Sequence, residues 1–232
     1  MRLCFDIGNT RAKCALYDGE RQVDCGVATE PFVSTLLRHY GHDIECAVAS
    51  VVGQEPDWSS LLPKEMPLHK LSYRSPLPFT LSCKQPATIG ADRLAACLGA
   101  WTLYPNQALV VVDAGTCITL DYLNADGTYS PGVIMPGMQM CLNAMHEHTA
   151  LLPQLHFDPN LEPDHHVTDT EDSILKGVAY MGLSAVKQIL LDAPLHMPLF
   201  TGGNGAWLHN SIGCNSEYHN DLLFVGLNAL AL

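Results

Sequence analysis

Two short turns of similar sequence stand about a hundred residues apart: Asp6-Ile7-Gly8-Asn9-Thr10 and Asp113-Ala114-Gly115-Thr116. The first follows the apolar run Leu3-Cys4-Phe5, and the second follows the apolar run 108–112. Each pattern predicts a strand, a carboxylate, a tight glycine turn and a hydroxyl. Glycine lets the backbone approach an anion closely, turn amides and a hydroxyl can donate to phosphate oxygens, and an aspartate offers a hard oxygen to a metal ion. We therefore interpret both turns as hairpins that hold the phosphates of a nucleotide.

The repetition of this turn is the main evidence for phosphate binding. A single copy is weak evidence, because Asp, Gly and Thr are common in ordinary turns. Two copies at equivalent positions favour phosphate binding, with plain hairpin turns as the alternative. The repeat predicts two similar halves facing each other across a cleft, an N-terminal domain of residues 1–105 and a C-terminal domain of residues 106–232. Strands mixed with helices in both halves predict an α/β fold.

Apolar periodicity predicts the remaining elements. The predicted helices cover Pro31–Tyr40, Trp58–Leu62, Ala91–Leu103, Pro136–Ala150, Ser173–Leu191 and Leu222–Leu230. The predicted strands cover Arg2–Asp6, Arg11–Tyr17, a short one after Gly19, Glu45–Val52, Leu68–Leu71, 108–113, Ile118–Leu123 and Pro198–Phe200. The proline-rich segments 75–86 and 153–168 are expected to be irregular, and a long loop in a compact domain is usually functional or mobile.

The charge balance excludes some classes of partner. With 24 acidic and 12 basic side chains the formal charge is −12, which argues against nucleic acid or an anionic membrane as the main partner. Phosphate ligands are still compatible, because backbone amides and a metal ion can neutralise them locally. The N-terminus has no signal-peptide pattern, because Asp6 interrupts its apolar run, and no apolar run approaches the ~20 residues of a membrane span. We expect a cytoplasmic protein that does not bind a membrane.

Cysteine and histidine give no metal signature. The nine cysteines form no CxxC pair, so we expect reduced, mostly buried thiols and no disulfide framework or zinc site. The run His146-Glu147-His148 is not an HExxH motif, because position 150 is Ala, and we interpret it as a solvated helix face.

The motif Gly90-Ala91-Asp92-Arg93 opens the predicted helix 91–103. Asp92 has two interpretations. It is either a helix N-cap or first-turn acid that satisfies the orphan amides, or a general base on a rigid helix start beside Arg93, which would hold an anionic substrate. A kinase needs such a carboxylate to accept the hydroxyl proton.

A second glycine motif, Thr201-Gly202-Gly203-Asn204, follows a predicted strand. Its glycine pair would allow an aromatic base to approach closely, or it is a simple strand-to-helix turn. The chain has no GxxxxGK[ST] loop, which argues against a P-loop kinase.

In this order along the chain, the motifs resemble those of the bacterial type III pantothenate kinases, a family also described as resembling the Bvg accessory factor. The resemblance covers nearly the whole chain and is carried by Asp6–Thr10, Gly90–Arg93, Asp113–Thr116, Pro136-Gly-Met, Thr149–Pro153, Thr170 seven residues before Gly177, and Thr201-Gly-Gly203. It implies a sugar-kinase/actin fold, with two ribonuclease-H-like domains around a central cleft. It also implies ATP-dependent phosphorylation of pantothenate to 4′-phosphopantothenate, the first step of coenzyme A biosynthesis. Mg²⁺, a monovalent cation (K⁺ or NH₄⁺) and a homodimer are implied as well.

The resemblance assigns roles to individual residues. Asp92 would be the catalytic proton acceptor, Asp6 would lie near Mg²⁺ and Asp113 would bind the monovalent cation. The ATP-binding residues would be Asp6, Ile7, Gly8, Asn9, Thr10, Arg11, Ala12, Lys13 and Thr116. The pantothenate-binding residues would be Gly90, Ala91, Asp92, Arg93 and Thr170, with Arg93 placed for the carboxylate.

One position departs from the family pattern. The family usually has a substrate-contacting Tyr seven residues before the glycine of Gly-Ala-Asp-Arg, and here that substrate-binding position is Cys83. This departure concerns substrate affinity more than the reaction. Two alternatives stay open: another small-molecule kinase or phosphohydrolase of the same fold, and a catalytically weak ATP-binding regulator. The intact Gly-Ala-Asp-Arg motif argues against the first, and the presence of Asp6, Asp92 and Asp113 argues against the second.

Overall fold

The computed structural model describes residues 1–164 and 166–231 of the chain. In chain order its elements are β1 (Arg2–Ile7), β2 (Ala12–Asp18), β3 (Arg21–Val27), α1 (Glu30–Tyr40), β4 (Cys46–Val51), α2 (Trp58–Leu61), β5 (Leu68–Lys70), β6 (Thr80–Leu81), α3 (Ala91–Leu103), β7 (Leu109–Ala114), β8 (Cys117–Leu123), β9 (Thr128–Pro136), α4 (Met138–Glu147), α5 (Thr170–Asp192), β10 (Met197–Thr201), α6 (Gly205–Ile212), β11 (Glu217–Tyr218) and α7 (Leu222–Ala229). A 3-10 turn at Pro86–Thr88 precedes α3.

These elements form two compact units. The first contains Met1–Asn106, Asp126–Ser130 and the chain from Asp221 onward, and the second contains Gln107–Ala125 and Pro131–Asn220. Each unit has its own sheet and its own buried core, so the expected α/β fold class is confirmed. The division into domains of residues 1–105 and 106–232 stays a prediction.

The sheet of the first unit has the strand order β3-β2-β1-β4-β5. The first three strands are antiparallel neighbours, and β4 and β5 run parallel to β1. Side chains alternate between the faces of a strand. Leu3 and Phe5 accordingly belong to one core with Leu36 of α1. Asp6 lies on the opposite face, while helices α3 and α7 pack together and contact strands β1 and β4.

The sheet of the second unit has the order β11-β10-β7-β8-β9. Strands β7, β10 and β11 are parallel, and β8 is the antiparallel hairpin partner of β7. Val110 and Val112 join the buried core with Met138 of α4, Ile174 of α5 and Trp207 of α6. The first three residues of β9 belong to the first unit, where Thr128 and Tyr129 pair with β6.

Most of the predicted elements are confirmed to within a few residues. The segment 75–86, which was expected to be irregular, contains the two-residue strand β6. The segment 153–168 forms no helix or strand at 153–164 and 166–168, and position 165 lies outside the described residues. The predictions missed strand β11 and gave no bounds for strand β9 or for helix α6, which follows Asn204.

Helix α5 is the element that bears on the expected absence of a membrane span. It has 23 residues, and an 18-residue window reaches a mean hydropathy of 1.3, enough to cross a membrane by length and composition alone. Among residues 1–164 and 166–231 it is the one helix with these properties. Ile174, Val178, Ala179 and Val186 of this helix lie in the buried core of the second unit. Core helices of globular proteins pass the same test, so this one helix is weak evidence for a membrane span.

Candidate functional site

The first turn of the pair joins β1 to β2 in the first unit. The Gly8 amide donates to the Arg11 carbonyl at 3.1 Å, and Asn9 and Thr10 are exposed at its tip. The end of β4 supports this turn, because a Cβ atom at position 53 would lie 2.2 Å from the Gly8 carbonyl oxygen. Only glycine fits this approach at position 53. Gly53 was not singled out from the sequence, although a glycine just after a buried strand was a usable signal.

Asp6 stands one residue before the end of β1, in register with Lys13 of β2 and Ser50 of β4. Burial, followed by the neighbouring negative charge of Asp92, raises the pKa of Asp6 to about 6, and Lys13 partly offsets this rise. Two carboxylates that are 86 positions apart in the sequence therefore act on each other in the fold. Ser50 was not singled out from the sequence. It is fully buried, and its hydroxyl has no hydrogen-bond partner in the part of the chain that the structure describes.

The motif Gly90-Ala91-Asp92-Arg93 forms the start of α3. The N-cap is Gly90, so Asp92 lies in the first turn, where the helix dipole favours a carboxylate. Oδ1 of Asp92 accepts a hydrogen bond from the Arg93 amide at 2.8 Å. A Cβ atom at position 90 would lie 2.4 Å from this Oδ1, so the glycine leaves room for the carboxylate. The N-cap interpretation of Asp92 is therefore wrong, and the first-turn interpretation is confirmed.

The second turn of the pair joins β7 to β8 in the second unit. The Gly115 amide donates to the Cys117 carbonyl at 2.9 Å, and Asp113 is in register with Thr201 of β10. Gly202 has a φ of +86°, and a Cβ atom there would lie 2.3 Å from Oδ1 of Asp113. The strand-to-helix turn after β10 is thus packed directly on the carboxylate.

A third glycine closes this second turn. The Gly137 amide, just before α4, donates to the Thr116 carbonyl at 3.0 Å. A Cβ atom at position 137 would lie 2.4 Å from the Gly115 carbonyl oxygen and 2.5 Å from that of Thr116. The Pro136-Gly137-Met138 motif therefore shapes the turn, while the Thr116 residue stays exposed.

The two units repeat the same local construction. In each, a carboxylate stands one residue before the end of a strand that has an antiparallel hairpin partner on one side. A parallel strand on the other side places a hydroxyl residue in register with it, Ser50 in the first unit and Thr201 in the second. A glycine just beyond that strand packs against the turn. The repeat seen in the sequence thus extends to a third strand, and each copy combines turn amides with a hard oxygen, as binding of a phosphate and a cation requires.

The other predicted site residues are distributed over both units. Ile7 is buried, Ala12 and Arg93 are half-buried, and Lys13 is exposed. Cys83 is half-buried between β6 and the 3-10 turn of the first unit. Thr170 is the exposed first residue of α5 in the second unit. The roles of these residues stay predictions.

The His146-Glu147-His148 run is exposed at the end of α4, as expected. The residues that the structure describes include no group of three or more His, Cys, Asp or Glu side chains arranged to hold a metal ion. The predicted Mg²⁺ site is at Asp6, with Asp92 as a neighbouring carboxylate, and the predicted monovalent-cation site is at Asp113. Mg²⁺ is commonly held by one or two carboxylates together with waters and substrate phosphates, and the Asp6 site fits that pattern.

Comparison with known proteins identifies the family. The type III pantothenate kinase family matches residues 2–192. A type III pantothenate kinase of Christiangramia forsetii is 31% identical over 241 residues, which cover 98% of this chain and 96% of the relative. A crystal structure of a Baf family protein from Campylobacter jejuni aligns with a TM-score of 0.63 at 24% identity, over 97% of this chain and 94% of that one. An inorganic polyphosphate/ATP-glucomannokinase from Arthrobacter sp. strain KM aligns with a TM-score of 0.50 at 13% identity, over 97% and 96%. The fold is therefore of the sugar-kinase/actin type, with ribonuclease-H-like domains, and the chain belongs to the type III pantothenate kinase family.

Proposed function

We propose that this protein transfers the γ-phosphoryl group of ATP to the terminal hydroxyl of pantothenate. The product is 4′-phosphopantothenate, and the reaction is the first step of coenzyme A biosynthesis. Family membership supports the reaction. The main structural support is that Asp92 lies close enough to Asp6, beside a glycine turn, to raise its pKa. Phosphoryl transfer needs a cation ligand and a proton acceptor near each other.

Asp92 is the general base of the proposed reaction. The Arg93 amide, at 2.8 Å from Oδ1, orients its carboxylate, and the start of α3 holds it on a rigid element. The carboxylate accepts the proton of the pantothenate hydroxyl as that oxygen attacks the γ-phosphorus in line with the leaving ADP oxygen. Arg93 is placed for the carboxylate of pantothenate, and Gly90, Ala91, Cys83 and Thr170 are its other proposed contacts.

The two glycine turns bind ATP and the cations. The segment from Asp6 to Lys13 and the residue Thr116 donate to the phosphates, Asp6 holds Mg²⁺, and Asp113 holds K⁺ or NH₄⁺. The donor chemistry fits these ions, since all of them prefer oxygen ligands. Bound Mg²⁺ neutralises the phosphate charge that builds up during transfer. The protein acts as a cytoplasmic homodimer.

The first experiment measures ADP release by the purified protein with ATP, Mg²⁺ and pantothenate, in K⁺ or in Na⁺. General-base catalysis contributes roughly 10²–10⁴-fold, so Asp92→Asn should lower kcat by that factor and still bind ATP. Glu20→Gln, at an exposed turn of the first unit, is the matched control and should keep full activity.

Each alternative function has its own outcome in this assay. ADP release without any acceptor would indicate a phosphohydrolase, and turnover only with another alcohol would indicate a different small-molecule kinase. ATP binding without turnover would indicate a regulator. Activity that is equal in K⁺ and Na⁺ would contradict the proposed role of Asp113.

A further inference from the structure

A second feature of the second unit lies next to the Asp113 turn. A cavity of about 410 Å³ opens between the loop 159–163 and helix α6. Its lining includes Glu162, Gly203, Trp207 and Asn210. Small-molecule sites typically have volumes of about 300–1,000 Å³ and a few polar groups in their lining, as this cavity does.

This cavity begins where the proposed phosphate site ends. Gly202, whose backbone packs on Asp113, is directly followed by Gly203, which lines the cavity. The Asn204 amide donates to the Ala114 carbonyl at 2.8 Å, which fixes this turn on the end of β7. A Cβ atom at position 203 would have no heavy atom within 4 Å, so this end of the cavity is open. A nucleotide with its phosphates on the Asp113 turn would therefore have its nucleoside within reach of the cavity.

The loop wall of the cavity is held in place by α5 and α6. Nε1 of Trp207 donates to the Leu161 carbonyl at 2.7 Å, and the hydroxyl of Tyr180 donates to the Pro163 carbonyl at 3.3 Å. Nζ of Lys176 lies 2.9 Å from Oδ1 of Asp164, one residue beyond the wall. These contacts fasten the loop on both sides of Glu162, so the cavity exists before a ligand arrives.

The charge of the lining restricts what this cavity holds. Glu162 is the charged side chain among its lining residues, and a carboxylate repels phosphate. A carboxylate attracts hydrogen-bond donors. The ribose of a nucleotide offers two such donors, the hydroxyls on adjacent carbons. The two oxygens of a carboxylate can accept from both of them at once, as acidic residues of other nucleotide sites accept from the 2′-hydroxyl.

We propose that Glu162 binds the ribose of ATP and makes this protein prefer ribonucleotides over 2′-deoxyribonucleotides. The inference rests on the proposed function in taking ATP as the ligand. Glu162 would be a specificity-determining residue, and it lies in a loop that was expected only to be irregular.

The test measures the dissociation constants of ATP and dATP by isothermal titration calorimetry, with Mg²⁺ and without pantothenate. A hydrogen bond to a charged group contributes roughly tenfold or more to affinity, so the wild-type protein should bind ATP about tenfold more tightly than dATP. Glu162→Gln and Glu162→Ala should bring the two constants within about twofold of each other, mainly by weakening ATP. Glu147→Gln, at the exposed end of α4, is the control and should keep the preference.

Several results would overturn the proposal. The wild-type protein could bind ATP and dATP equally, or could bind neither. The Glu162 variants could also keep the full preference for ATP. Titration with GTP separates the sugar from the base: variants that change the ATP-to-GTP ratio but not the ATP-to-dATP ratio would show that Glu162 contacts the base. Because the titrations contain no pantothenate, a failure of pantothenate phosphorylation would leave this test intact.

Discussion

At the scale of single residues, the most unusual group is the carboxyl of Asp6. Its pKa rises from 3.8 to about 6, first because of burial and then because of Asp92. The folded state therefore holds the proton more tightly than the unfolded state does. Stability is then greatest below about pH 4, falls as the pH rises to about 6, and stays lower above it. A shift of about two pKa units corresponds to at most about 3 kcal/mol.

The substitution Asp6→Asn removes this ionisation. Without Mg²⁺, we expect the variant to gain up to about 3 kcal/mol over the wild type at pH 8 and less than about 1 kcal/mol at pH 4. Urea denaturation across this pH range measures the difference. The exposed Glu65→Gln variant should follow the wild type at every pH. Parallel stability profiles for wild type and Asp6→Asn would contradict the raised pKa.

The glycines at 202 and 203 are adjacent but have different constraints. At Gly202 the positive φ and the 2.3 Å approach to Asp113 both penalise a side chain, whereas the space around Gly203 is open. We expect Gly202→Ala to lower the free energy of unfolding by about 1–3 kcal/mol and Gly203→Ala to change it by less than about 0.5 kcal/mol. Denaturant unfolding of the two variants is the measurement, and equal losses would refute the distinction.

At the scale of elements, the tightest helix pair is α3 with α7 in the first unit. A Cβ atom at position 226 would lie 1.9 Å from the Ala95 carbonyl oxygen, and one at position 99 would lie 2.0 Å from that of Leu222. The helices touch backbone to backbone, so Gly226→Ala must force them apart. We expect a loss of about 1–3 kcal/mol in the free energy of unfolding.

The matched control for this helix pair is Gly177→Ala in α5, where a Cβ atom would meet nothing within 4 Å. Alanine in place of a helix-interior glycine should stabilise the protein there by about 0.5–1 kcal/mol. Opposite signs for the two Gly→Ala substitutions in the same urea experiment would support the packing argument. A Gly226→Ala variant as stable as the wild type would disprove it.

At the scale of the whole molecule, we predict a homodimer. Sedimentation equilibrium should give twice the chain mass of 25.2 kDa. The outer side of α5 exposes large apolar side chains, among them Met181 at 52% and Leu191 at 64%, which is consistent with a covered surface. A protein that sediments as a monomer and still phosphorylates pantothenate would refute this prediction.

Elements defined by local sequence were predictable. The Gly8 turn, helix α3 and the strand ending at Asp113 follow from apolar periodicity and turn residues, and they agree with the structure to within a residue or two. The two-residue strands β6 and β11 were missed because they exist only through pairing with β9 and β10. A segment of two residues carries no periodicity of its own.

Short motifs kept in order along the chain were enough to assign the family, the fold class and the two turns. Other contacts appear only in the folded chain: Asp92 lies near Asp6, Gly53 and Gly202 pack on the turns, and Arg2 donates a hydrogen bond to the Leu230 carbonyl at 2.8 Å. These contacts join residues from 45 to 228 positions apart. Local secondary-structure propensity does not predict such pairs, because they form only when strand pairing and helix packing bring the segments together.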